Sequence, residues 1–216
     1  TNINPLYTPR ELEYQLTDSG TKALIVSELF LATLEQVIQK NPQLKSLALV
    51  TASLSEFFDE PYKGMIAQKM QADAETQNRS LQPSINYCPF FDALEIGKTL
   101  DTYTPIHHDI ALYQYTGGTT GRSKGAVISH QNVASLVKIT GDYLRAHQSE
   151  FNNQDCILTA IPLYHIFAFS VNFLMFFEGG SHNLLIPSPR PVSNLKPAFE
   201  NFNVTWLTGV DTLYAG

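Results

Sequence analysis

Apolar residues recur along this chain with a helical period in some stretches and as short solid runs in others, and the two patterns alternate. Thr8-Pro9-Arg10-Glu11 reads as a helix start. Thr8 caps it, Pro9 suits the first helical position, and Glu11 closes a capping box. Leu12, Gln15 and Leu16 follow at helical spacing, and Gly20 stands where a C-terminal glycine would. Residues 22–26 read as a short buried strand. Residues 28–39 read as a helix with Leu31, Leu34, Val37 and Ile38 on one face. Asn41-Pro42 stops that helix, and 44–50 reads as a second strand. The stretch 51–83 is polar and weakly patterned, which suits irregular or helical surface structure. Residues 90–96 form a short helix beside it and 103–108 a connector. The pattern resumes with a strand at 109–115. An amphipathic helix over 132–147 gathers Val133, Leu136, Val137, Thr140, Tyr143 and Leu144 on one face. A strand at 157–161, a helix at 167–177, a turn at Gly179-Gly180, a strand at 183–186, a helix at 194–201 and a strand at 204–207 complete the reading. This alternation predicts an α/β fold, layered, with a mostly parallel sheet and flanking helices.

From 157 to 177 no residue is charged unless His165 is protonated, and that length could span a bilayer. Pro162, Tyr164, His165, Ser170 and Asn172 interrupt it, so a buried strand, a loop and a buried helix fit better. The net charge of −6 gives no electrostatic pull toward nucleic acid, while a local loop can still bind a small anion. Cys88 and Cys156 have neither metal nor redox spacing and read as two unpaired thiols. The first residues show no basic-then-apolar leader and no initiator Met, so the chain reads as a piece of a longer one.

The candidate chemistry lies after the strand at 109–115, in Tyr115-Thr-Gly-Gly-Thr-Thr-Gly-Arg-Ser-Lys-Gly125. Its glycines let the backbone turn tightly and bring N–H groups against an anion. Its threonines add hydroxyls, and Lys124 adds a mobile positive charge suited to a polyphosphate. Arg122 and Ser123 separate the last loop glycine from the lysine, so this is not a Walker A loop. No Gly-x-Gly-x-x-Gly is present, so it is not the dinucleotide fingerprint either. On composition alone a polar surface turn stays open. The segment is expected to lie between the strand and the helix from Asn132, at the carboxyl end of a parallel sheet, where open α/β sheets place ligands.

The segment resembles the signature of adenylate-forming enzymes, Tyr-Thr-Ser-Gly-Thr-Thr-Gly-x-Pro-Lys-Gly, with Gly117 in place of the Ser and Ser123 in place of the Pro. Glycine at the first position is familiar in bacterial long-chain fatty-acid–CoA ligases. Serine at the second is expected to loosen the loop. Asn4-Pro-Leu-Tyr-Thr-Pro-Arg-Glu-Leu12, Asp18-Ser-Gly20, Lys22-Ala-Leu-Ile25, Ser129-His-Gln-Asn132, Pro162-Leu-Tyr-His165 and Leu207-Thr-Gly-Val210 are similar to the same ligases, in the same order. The span 51–108 is the least diagnostic.

The resemblance implies that 1–216 is part of the large N-terminal AMP-binding domain, with the C-terminal domain and its catalytic lysine absent and the piece by itself inactive. It implies ATP, Mg²⁺, CoA and a fatty acid as cofactor and substrates. Thr116, Gly117, Gly118, Thr119, Thr120, Gly121 and Lys124 would hold the nucleotide, Lys124 and Thr120 acting in catalysis and Thr116 near the metal. His165, Ile166 and Phe169 would line the acyl site, with Phe169 as an aromatic gate and Gly209 and Val210 on the floor. For His165 and Phe169, core packing stays open as the plainer reading. A cytoplasmic enzyme, with room for peripheral association at the inner membrane, goes with this; oligomeric state and acyl chain length stay open. Two other functions also stay open: an adenylating enzyme for aryl or amino acids, and a noncatalytic binding or membrane-docking module. The apolar wall of Ile166, Phe167 and Phe169 argues against the first of these, and intact Lys124 and Thr119-Thr120 against the second.

Overall fold

Helix α1 (Pro9–Asp18) starts as its sequence dictates. The Thr8 N–H donates to Glu11 Oε2 (2.9 Å), and the Glu11 N–H donates to Thr8 Oγ1 (3.4 Å). Gly20 follows the helix with φ +62°, a conformation open to glycine. The computed structural model describes residues 1–76, 85–100, 109–117, 122–147 and 152–215. The chain forms two units, Ile3–Ile106 and His107–Gly216, the second including Thr1–Asn2.

In the first unit β1 (Ala23–Ser27) leads through a 3-10 turn into α2 (Leu31–Lys40), and β2 (Ala48–Ala52) follows. The strand expected at 44–50 begins only at Ala48. Asn41 and Pro42 start a 3-10 helix, Pro42–Ser46, that occupies its first half and buries Leu44. The polar stretch after β2 holds α3 (Tyr62–Thr76), followed by β3 (Cys88–Pro89) and α4 (Phe90–Lys98). The expected connector at 103–108 lies outside the described residues. β1, β2 and β3 are parallel, in that order. The core is aliphatic: Leu16, Leu34, Val37, Ile38, Leu44 and Leu49 pack together, and the four residues assigned to one face of α2 are all buried.

The second unit opens with an antiparallel pair, β4 (Ile110–Thr116) and β5 (Lys124–Ser129), then α5 (His130–Ala146). On α5, Val133, Val137, Thr140 and Leu144 are half-buried, whereas Leu136 and Tyr143 of the expected apolar face are exposed. β6 (Cys156–Thr159) is buried throughout. The helix expected over 167–177 forms, but as a π-helix over Ala168–Met175 that runs into one α-turn, α6 (Phe176–Glu178). β7 (His182–Leu185), α7 (Lys196–Asn201), β8 (Trp206–Thr208) and the short α8 (Asp211–Tyr214) complete the unit. β6 lies between β7 and β8, parallel to both. One side of this sheet packs Leu158 and Ala160 against Leu195, Ala198 and Leu213. On the other, Trp206 meets Phe176 edge-on at 5.8 Å. The 157–177 stretch therefore divides into strand, loop and helix. No helix among the described residues is long and apolar enough to cross a membrane.

Candidate functional site

The glycine-rich segment joins two antiparallel strands. Thr116, the last residue of β4, pairs with Lys124, the first of β5, and Tyr115 pairs with Gly125. This corrects the expected placement between a strand and a helix at the end of a parallel sheet. A short strand, Lys124–Ser129, intervenes before α5. Its alternation is hard to read because its first two residues, Lys124 and Gly125, belong to the glycine motif. Helix α5 starts only after Ser129, whose Oγ accepts from the Asn132 N–H and whose N–H donates to Asn132 Oδ1, each at 3.0 Å.

Two local contacts shape the neck of the segment. Ser123 Oγ donates to the Thr116 carbonyl oxygen at 2.7 Å. Serine here was expected to loosen the loop, but its hydroxyl supplies a cross-link that proline could not make. The Tyr115 ring lies against Gly125, where a Cβ would stand 3.0 Å from the ring, so any side chain would force one of them to move. Gly117 faces open space, and packing makes no such demand on it. Thr116, Gly117 and Lys124 are exposed. Gly118, Thr119, Thr120 and Gly121 lie outside the described residues.

Gln114, in β4, is buried, and its Nε2 donates to the Tyr115 carbonyl (3.2 Å) and to the Tyr164 carbonyl (3.4 Å). This brings the strand before the glycine segment to the Pro162-Leu-Tyr-His165 turn. Sequence reading passed over Gln114; its signal was a lone amide in an apolar strand. Gln114 Oε1 is buried with no hydrogen-bond partner among the described residues.

The turn closes with the His165 N–H donating to the Pro162 carbonyl (3.1 Å), and the His165 carbonyl accepts from the Phe169 N–H (2.9 Å). The first turn after His165 is thus helical, as its four-residue spacing to Phe169 requires. His165 is exposed, its ring 4.6 Å from that of Tyr164, so the plain core reading fails for it. Ile166 is also exposed. Phe169 is half-buried, its ring 5.8 Å from Phe173. Gly209 follows β8 directly beneath α8: a Cβ on it would stand 2.9 Å from Leu213 and Tyr214 side-chain atoms. Val210 beside it is exposed.

Hydrogen bonds from Lys138 and Arg145 hold Asp142 on α5 below the usual carboxylate range. Burial pushes the Cys156 thiol up, which keeps it protonated and unsuited to nucleophilic chemistry. Among the described residues no group of three or more His, Cys, Asp or Glu could hold a metal ion.

Known proteins resemble this chain over almost its whole length. The long-chain-fatty-acid–CoA ligase of Yersinia pestis is 36% identical over 225 residues, and that of Escherichia coli O157:H7 is 35% identical over 224. Each match covers 99% of this chain and 37% of the relative, so the chain spans well under half of their length. The crystal structure of ATP-bound MatB from Rhodopseudomonas palustris superposes with a TM-score of 0.63 at 24% identity, over 99% of this chain and 34% of that one. This likeness shows a shared fold. The model of the AMP-binding enzyme family matches residues 1–216, and the chain belongs to that family.

Proposed function

We propose that this chain is part of the N-terminal, nucleotide-binding domain of an ATP-dependent long-chain fatty-acid–CoA ligase. The observation that carries the reading is the identity of about 35% to such ligases over 99% of the chain. It favours a fatty acid over an aryl or amino acid as the activated carboxylate.

The reaction has two steps. A fatty carboxylate oxygen attacks the α-phosphorus of ATP; an O–P bond forms, and the bond to pyrophosphate breaks. The CoA sulfur then attacks the acyl carbon, AMP leaves with the oxygen it gained, and the thiol proton passes to solvent. In the first step negative charge grows on the departing pyrophosphate. Backbone N–H groups of Gly117, Gly118 and Gly121, hydroxyls of Thr119 and Thr120, and the Lys124 ammonium would offset it. The tied neck between Thr116 and Ser123 supports this by fixing the base of the segment before the nucleotide arrives. Thr116 offers one exposed hard oxygen, which fits Mg²⁺ held mostly by phosphate oxygens. When bound, that ion would lower the charge of the triphosphate.

His165, Ile166 and Phe169 would stand on the acyl side, with Gly209 and Val210 below. The Gln114 bond to Tyr164 supports this by joining that turn to β4. ATP, a fatty acid and CoA are the partners, and a cytoplasmic enzyme with peripheral contact to the inner membrane suits an amphiphilic substrate.

The test is pyrophosphate release by the full-length enzyme with a panel of carboxylic acids. A long-chain fatty acid should give the highest kcat/KM, ahead of benzoate and amino acids. A benzoate or an amino acid preferred over every fatty acid would overturn the reading.

A further inference from the structure

Asn172 lies in the π-helix, in a run that is apolar apart from it and Ser170, and is 0% exposed. Its polar atoms are held in sequence. Thr208 Oγ1 donates to Asn172 Oδ1 (2.7 Å), and Asn172 Nδ2 donates to Thr159 Oγ1 (3.0 Å). Thr159 Oγ1 donates to Asn183 Oδ1 (2.7 Å), and Asn183 Nδ2 donates to the Asn172 carbonyl oxygen (2.6 Å). The path that leaves the Asn172 side chain returns to its backbone. It ties the helix to β6, β7 and β8 through one residue of each. Thr159 and Thr208 are the paired last residues of their strands, and Asn183 is the second residue of β7. Two of the three strand residues of the tie therefore stand at the carboxyl end of a parallel sheet, where α/β folds bind ligands.

Apolar packing alone would hold the helix and tolerate small slides, because it has no direction. Hydrogen bonds have direction, so this ring fixes both the height and the rotation of the helix. Rotation matters because two stripes run along the helix at four-residue spacing. Ala168, Asn172 and Phe176 are buried. One residue further on, Phe169, Phe173 and Phe177 form a ladder with ring centroids 5.8 and 5.7 Å apart. The ladder grows more exposed along the helix, from half-buried Phe169 to 39% at Phe173 and 73% at Phe177. A turn or slip at Asn172 therefore moves the aromatic ladder.

We propose that Asn172 is a specificity-determining positioning residue: its ring with Thr159, Asn183 and Thr208 sets where the Phe169–Phe173 ladder stands, and with it which acyl chains are accepted. This rests on the ligase reading above.

The test uses the full-length enzyme with Asn172→Leu, Thr208→Val and the conservative Thr208→Ser. For each, kcat/KM is measured for a long-chain and a medium-chain saturated fatty acid, together with the KM for ATP and the melting temperature. Asn172→Leu and Thr208→Val should each shift the long-to-medium ratio about tenfold, the scale of discrimination in an apolar pocket. Thr208→Ser should keep the wild-type ratio, and the KM for ATP should not move in any variant. If Asn172→Leu does not fold, the Thr208 pair decides. Variants that melt lower but keep the wild-type ratio overturn the proposal while leaving the ligase reading intact. A wild-type enzyme that releases no pyrophosphate with any fatty acid overturns the ligase reading and this assignment with it.

Discussion

The Ile3–Ile106 unit and the unit that follows it are built from the same alternation of strand and helix, but they use their interiors differently. The first gathers an aliphatic cluster around Leu34 and Val37, both 0% exposed, also buries Gln15, Thr51 and Ser55, and keeps its capping box on the surface. The second has a comparable aliphatic cluster on one face of its parallel sheet. On the opposite face it buries an asparagine and a threonine, and it buries Gln114 beside the glycine segment. A buried amide is costly unless it is bonded, so these positions are poor choices for stability alone. Departures from local rules concentrate where a chain does chemistry. Both units carry that cost, but in the second Asn172 and Thr159 are joined in a ring across three strands and Gln114 lies beside the glycine segment. We therefore propose the first as scaffold and the second as carrier of the site, and the two should respond to mutation in opposite ways.

The largest expected effect is on chemistry. Lys124→Met in the full-length enzyme should slow single-turnover pyrophosphate release about 100-fold or more, the scale for losing a charge-stabilising donor. Because Lys124 is exposed at the start of β5, the melting temperature should hardly move. Leu34→Ala should do the reverse. It should cost about 3 kcal/mol of unfolding free energy, measured by denaturant titration. The folded fraction should keep its pyrophosphate-release rate.

The smallest effect concerns the cap of α1. Thr8→Ala should cost about 1 kcal/mol, with no kinetic change. It should also be pH-dependent. The Thr8 hydroxyl, and then its backbone N–H, hold the Glu11 carboxyl below its ordinary value. A depressed carboxyl stabilises the fold above its unfolded pKa, and the contribution fades as pH falls through the folded value. The difference between wild type and Thr8→Ala should therefore narrow in acid. Denaturant titrations at neutral and acid pH would show it, and a gap that widens in acid would contradict this cause.

How much was legible in the sequence follows the same division. The first unit reads out well because its signals are local: the Thr8–Glu11 box, the buried face of α2, and Gly20 at positive φ. Its one displaced strand reflects a local rule given too little weight, since Asn41-Pro42 starts a 3-10 turn as readily as it stops a helix. In the second unit the glycine segment, the strand before it and the turn at His165 were all legible from residue type and spacing. Strand β5 was not, because its pairing with β4 is a tertiary fact. The π-winding of 168–175 was not legible either. Asn172 registers in the sequence only as a polar interruption, and its partners come from three strands, 11, 13 and 36 residues away in the chain. Gln114 is similar: its partner Tyr164 lies fifty residues on.

In the proposed function the β4–β5 hairpin, and not the Ile3–Ile106 unit, receives the ATP phosphates. Hydrogen exchange of the full-length enzyme with and without saturating ATP and Mg²⁺ tests it most directly. Amides over 115–125 should exchange markedly more slowly with nucleotide, while those of α2, Leu31–Lys40, keep their rates. Unchanged exchange over 115–125 at saturating ATP would contradict the account.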